Sequence, residues 1–146
     1  MAFEINIPPL TGKITLSELF EVAGVTPPTN VISASQAFGV HMKWQLCGFL
    51  AKYLPGNWRV VLLMEKMGPG YEPDVPHGGD VVALSAGVPC ATAPNCMCWE
   101  HDISVAARAV RPGTYHAVVS LTWEPEPGTP GPIAGFADLG MLQVYA

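Results

Sequence analysis

The clearest alternation of apolar and polar positions runs from Tyr115 to Trp123. Tyr115, Ala117, Val119, Leu121 and Trp123 point one way; His116, Val118, Ser120 and Thr122 point the other. Successive strand side chains alternate faces, so this stretch predicts a half-buried strand, opened by the turn Arg111-Pro112-Gly113-Thr114. The same period recurs in Val40, Met42, Trp44 and Leu46, which alternate with His41, Lys43 and Gln45. It recurs again in Trp58, Val60, Leu62 and Met64, which alternate with Arg59, Val61, Leu63 and Glu65. This last strand breaks the usual polar-out pattern, because Val61 and Leu63 put branched aliphatics on the nominal solvent face.

Weaker segments fill in the rest. Phe3 to Ile7 alternates and then meets Pro8-Pro9, a short strand with a hard stop, since proline cannot donate to a ladder. Val31 to Ala34 and Val81 to Leu84 read as short strands. Ile103, Val105, Ala107 and Ala109 read as the inward face of another. The last strand spans about Ala134 to Tyr145, and Gly140 inside it predicts a bulge. Ile14 to Val25 fits two descriptions. Thr15-Leu16-Ser17-Glu18 looks like a capping box, with Leu16, Leu19, Phe20 and Ala23 on one helical face and Gly24 as the stop, and this favours a short helix. The same residues also alternate as a strand. Pro27-Pro28 then breaks the chain, which divides into an N-terminal arm, residues 1–29, and a main body, residues 30–146.

Seven or eight strands with turn residues between them predict an all-β fold, an antiparallel β-sandwich, with a small barrel as the alternative. The core expected of it is Trp44, Trp58, Leu62, Tyr115, Val119 and Leu121. The Trp44 strand, taken with the later Pro112-Gly113-Thr114-Tyr115 strand, resembles immunoglobulin-like and fibronectin-III-like modules over residues 30–146. The resemblance implies an immunoglobulin-like sandwich and transfers no functional residue. It lacks the cysteine pair of immunoglobulin domains, for Cys47 follows Trp44 and no cysteine follows Tyr115.

Composition narrows the function classes. Only 13% of the 146 residues are charged, about half the usual ~25%. A surface so poor in charge is expected to be partly covered. The net charge of −5, with seven Lys and Arg and no basic stripe, excludes a nucleic-acid footprint. No apolar run approaches the ~18 residues of a membrane-spanning helix. The N-terminus has neither a basic n-region nor an apolar h-region, so a cytoplasmic product is expected.

The candidate chemistry is thin. Cys90, Cys96, Cys98 and His101 combine thiolates and imidazole, the ligand set of zinc, but in a spacing that matches no common zinc module. The open alternatives are structural thiols, which the spacing favours, a disulfide from Cys90 to Cys96 or Cys98, and a metal site. Glu72, Asp74, His77 and Asp80 could offer oxygen ligands to calcium, yet a solvated loop explains them without one. His41 and His116 fall on outer faces, and no serine or cysteine sits in a nucleophile elbow, so no catalytic residue, no bound metal and no cofactor is expected. The expectation is therefore a non-enzymatic module that self-associates into a homo-oligomer or larger assembly. Its interface is expected to use the edge-strand residues Phe3, Ile5 and Ile7 together with the apolar face at Val61 and Leu63. The alternative is a metal- or small-ligand-binding protein that uses the Cys90–His101 loop.

Overall fold

The computed structural model describes residues 2–5, 10–21, 30–68, 79–91 and 95–146. Among these it forms ten strands in two packed sheets. They are β1 (Ala2–Ile5), β2 (Thr11–Phe20), β3 (Val31–Ser33), β4 (Phe38–Cys47), β5 (Asn57–Lys66), β6 (Asp80–Ala83), β7 (Val88–Pro89), β8 (Cys96–Val105), β9 (Gly113–Glu124) and β10 (Ile133–Tyr145). The larger sheet runs β1-β10-β9-β5-β6, with β3 also on β10; the smaller runs β2-β4-β8-β7. The fold is an all-β sandwich. β3 matches the short strand expected at Val31 to Ala34, whereas β7, of two residues, is too short for periodicity to show.

The strong alternating stretches became the central strands. β5, β9 and β10 lie side by side, with Trp58 opposite Trp123 and Leu62 opposite Val119. Trp44, Trp58, Leu62, Tyr115, Val119 and Leu121 are buried together, as the alternation predicts. Three aromatic contacts cross the gap between the sheets or close its side. Trp58 of β5 meets Trp44 at 6.0 Å, Trp99 at 5.3 Å and Phe3 at 6.2 Å between ring centroids, all edge to face.

The short helix expected over Ile14 to Val25 is replaced, as far as Phe20, by strand β2; residues 22–29 lie outside the described residues. Its register shows why the pattern looked helical. Ile14 faces Trp44, but Leu16 faces Lys43, so the ladder shifts by one residue at Thr15. The bulge moves the apolar set from even to odd positions, and Ile14 and Leu19 are both buried. A broken period of two imitates the i, i+3, i+4 spacing of a helix.

The far edge of β10 is shared. β1 pairs antiparallel with Ile133–Phe136, while β3 pairs parallel with Gln143–Tyr145, a departure from the purely antiparallel expectation. Between the two lies the predicted bulge, at Asp138 to Gly140.

At one end of the sandwich, Gly56 turns the chain into β5 with φ of 94°, a conformation that disfavours a side chain. A Cβ there would also lie 2.1 Å from the Glu124 carbonyl oxygen. Gly56→Ala is expected to cost roughly 1–3 kcal/mol in urea unfolding. A loss below about 0.5 kcal/mol, within the range of ordinary surface changes, would show that the turn does not need this conformation.

Candidate functional site

The outer face of the larger sheet is built by the odd positions of β5, the even positions of β9, and the positions of β10 that are even before its bulge and odd after it. Register places Val61, Ser120 and Phe136 in one row, and Leu63, Val118 and Asp138 in the next. Glu65, His116 and Met141 form the row beyond, and Val81, Arg59, Thr122 and Ala134 the row before. Leu63 is 51% exposed, Val81 50%, Met141 46% and Phe136 44%, with Val61 and Val118 half-buried between them. Single exposed aliphatics are ordinary; six that share adjacent rows of one sheet make a patch.

Polar groups on the rim are held in place. Arg59 reaches Glu124 with Nε to Oε2 at 3.3 Å and Nη2 to Oε1 at 3.3 Å. Glu124 is buried, and this charged fork compensates its carboxylate. At the opposite end His116 Nε2 lies 2.8 Å from Asp138 Oδ1, which also accepts the Gly140 N–H at 2.8 Å. Thr114 donates to Gln143 at 2.6 Å. An apolar centre with a satisfied polar rim is the anatomy of a protein interface.

The Gly140 backbone N–H, and after it the His116 side chain, hold the Asp138 carboxyl below its ordinary range. A folded-state pKa depressed in this way stabilises the fold above the unfolded value and loses that stabilisation as pH falls through the folded one. Asp138→Asn should therefore lower Tm at neutral pH, and the gap to the wild type should shrink as pH falls through the lowered folded-state pKa of Asp138. Thermal melts over a falling pH series check this; a gap of constant size across the series would assign the effect to something other than the charge.

Of the expected interface residues, Val61 and Leu63 lie on this face and Phe3 does not. β1 pairs with β10 of its own chain, and Phe3 points inward against Trp58. Its ring covers Gly12 and Gly135, where a Cβ would approach to 2.6 and 2.7 Å. Phe3 is thus used inside the chain, a correction to the free-arm expectation. Ile5 continues β1 opposite Ile133, its side chain is not described, and Ile7 lies outside the described residues. Val81, Val118, Phe136 and Met141 join Val61 and Leu63 on this face, a grouping that alternation within single strands does not contain.

The cysteine stretch follows the disulfide alternative, with Cys90 paired to Cys98, and not the structural-thiol reading. Cys96 and Cys98 are not in a loop but on β8, with Cys96 buried, and all four cysteines are consumed in two disulfides, Cys47–Cys96 and Cys90–Cys98. Cys47 stands opposite Cys96 in the β4–β8 ladder, which brings their sulfurs together within one sheet. The structural-thiol reading is thereby corrected, and the thiolate ligand set of the metal alternative does not exist. His101 turns to the open side of the sandwich, where its Nε2 meets Asp80 Oδ2 of β6 at 2.8 Å. His41 bonds Asp102 through Nδ1, with Glu100 at 3.4 Å from Nε2. Among the described residues no group of three or more His, Cys, Asp or Glu is placed to hold a metal ion. Glu72, Asp74 and His77 lie outside the described residues, and no described helix is long and apolar enough to cross a membrane.

No protein-family model matches the chain, and no curated protein sequence does. Among solved structures, the chain is similar to the crystal structure of the C-terminal domain of Wzt, at 12% identity over 96% of this chain and 80% of that one, with a TM-score of 0.48.

Proposed function

We propose that this chain is a non-enzymatic interaction module, an immunoglobulin-like sandwich that self-associates through the outer face of its larger sheet. The observation that carries the reading is the shared exposure of Leu63, Val81, Phe136 and Met141 around Val61 and Val118. Completing the burial of each half-exposed side chain contributes roughly 1 kcal/mol, and a two-fold contact uses every one twice. Sparse charge agrees with a covered face. The immunoglobulin-like assignment is supported by Tyr115, at the start of β9, whose hydroxyl donates to the Arg111 carbonyl at 2.7 Å. Two disulfides that use every cysteine favour an oxidising compartment over the cytoplasm expected from the N-terminus.

Leu63→Lys and Phe136→Glu, made singly, are expected to weaken self-association at least about 100-fold, because an unpaired charge buried in an interface costs roughly 3 kcal/mol or more. Both positions are on the surface of the single chain, so circular dichroism should stay that of the folded wild type. Analytical ultracentrifugation reads the outcome. A variant that keeps the wild-type mass distribution would place the interface elsewhere.

A further inference from the structure

The end of the sandwich that carries the disulfides is almost devoid of charge. Residues 45–58 hold one ionisable charge, Lys52, and residues 81–99 hold none, in a chain with twelve Asp and Glu. The fold brings these two stretches together. Gly48 N–H donates to the Asn95 carbonyl at 2.9 Å, Leu84 N–H donates to Gly56 at 3.1 Å, and Cys47–Cys96 and Cys90–Cys98 stitch the base. On this rigid base sits the 3₁₀ turn Phe49–Tyr53, with Phe49 62% and Tyr53 68% exposed, beside Val88 at 59%.

Two clefts flank the turn. One, of about 330 Å³, runs from Lys52 and Tyr53 to Ser85 and Met97. The other, of about 210 Å³, runs from Phe49 and Lys52 to Asn95 and Met97. They share Lys52 and Met97. Among the described residues no carboxylate pairs with Lys52, whose Nζ lies over the Tyr53 ring at 5.3 Å from its centroid. Glu124, behind Gly56, is already engaged by Arg59.

From this we infer a ligand site that takes a small amphiphilic anion, an aryl or alkyl carboxylate. The apolar body lies in the cleft against Met97 and the exposed aromatics, and the carboxylate meets Lys52, with the Ser85 hydroxyl available as a second donor. Charge complementarity selects the ligand class. Neither cleft is lined by a carboxylate, so a cationic ligand finds no charged partner there and a neutral one leaves Lys52 unused. The combined size suits a compact molecule, since ligand clefts begin at about 300 Å³. Cross-linking by two disulfides keeps the site preformed, which lowers the ordering cost of binding.

The test is a titration of the ¹⁵N-labelled oxidised protein with 4-phenylbutyrate, and separately with the neutral 4-phenylbutan-1-ol, followed by amide chemical shifts. The expected result is saturable binding with a Kd on the order of 1 mM, the range of a ligand this small. Shifts should cluster at Gly48 to Gly56, Ser85 to Gly87 and Asn95 to Met97, and the alcohol should bind about fivefold more weakly, the value of one exposed ion pair. Lys52→Met, which keeps the apolar stem, should reduce the carboxylate to the alcohol's affinity. Equal binding of acid and alcohol, an unchanged Lys52→Met, or no saturation would overturn the inference. So would shifts centred on Leu63, Val118 and Phe136, which would assign the probe to the association face. The self-association reading is untouched by a failure at this end.

Discussion

Replacing Cys47 and Cys96 together by alanine is expected to lower the stability of the fold by about 4 kcal/mol, more than removing the other disulfide does. The cross-link spans 49 residues of sequence. Closing a loop of that length removes entropy from the unfolded chain worth about 4 kcal/mol at room temperature. Cys90–Cys98 spans 8 residues, and the same relation gives about 2.5 kcal/mol. The folded side of the balance changes little in either case, because β4 and β8 stay paired from Phe38–Val105 to the disulfide itself. Urea unfolding of the two double variants separates the terms. Reduction of the wild type should destabilise it more than either double variant. Equal losses from the two disulfides, or the reverse order, would show that local packing and not loop length sets their contribution.

Trp58→Ala is expected to cost roughly 3–5 kcal/mol, the range for removing a large aromatic from a core. Trp58 is fully buried and is the one ring in contact with Phe3, Trp44 and Trp99, so it ties β1 and β5 to both central strands of the smaller sheet. Its loss leaves a cavity that those three rings can only partly close. Trp58→Phe should cost much less, about 1–2 kcal/mol. The smaller ring forfeits some contact, but the indole N–H has no hydrogen-bond partner among the described residues. Removing an unsatisfied buried donor recovers roughly 1–3 kcal/mol of desolvation. Urea unfolding of the two variants tests the difference; a phenylalanine as costly as alanine would mean that the N–H is satisfied and that its loss matters.

How far the sequence foretold this structure depends on whether the period of two was intact. β4, β5 and β9 have unbroken alternation, and their faces were legible residue by residue. β2 was not, because the bulge at Thr15 reverses parity within ten residues. β10 hid Phe136 and Met141, two of the six residues of the candidate interface, for two reasons. Its inward residues Gly135 and Ala137 are small, so Phe136 did not read as the outward member of an alternation. The bulge before Gly140 then reverses parity again and turns Met141 outward. Val61 and Leu63 could be read because they violate the polar-out rule within a clean strand. Which strands lie beside them, and hence that Val118 and Phe136 join them, is a matter of sheet order that local periodicity does not contain. The Cys47–Cys96 bridge is of the same kind. Its partners are 49 residues apart and meet because β4 pairs with β8. The Phe3 arm misled for a different reason. An apolar terminal strand fits an edge in its own chain as well as one in a neighbour, and the glycines that receive Phe3, Gly12 and Gly135, are remote in sequence.

The central claim, that the outer face of the larger sheet is covered by a second copy, is tested most directly by the molar mass of the oxidised wild-type chain, measured by sedimentation equilibrium over a range of concentrations. The single chain is 15.5 kDa. A mass of at least twice that is expected at micromolar concentration, falling on dilution and reduced to the single-chain value in Leu63→Lys. A mass that stays at the single-chain value up to about 100 µM, far above the dissociation constant of a stable interface, would contradict it.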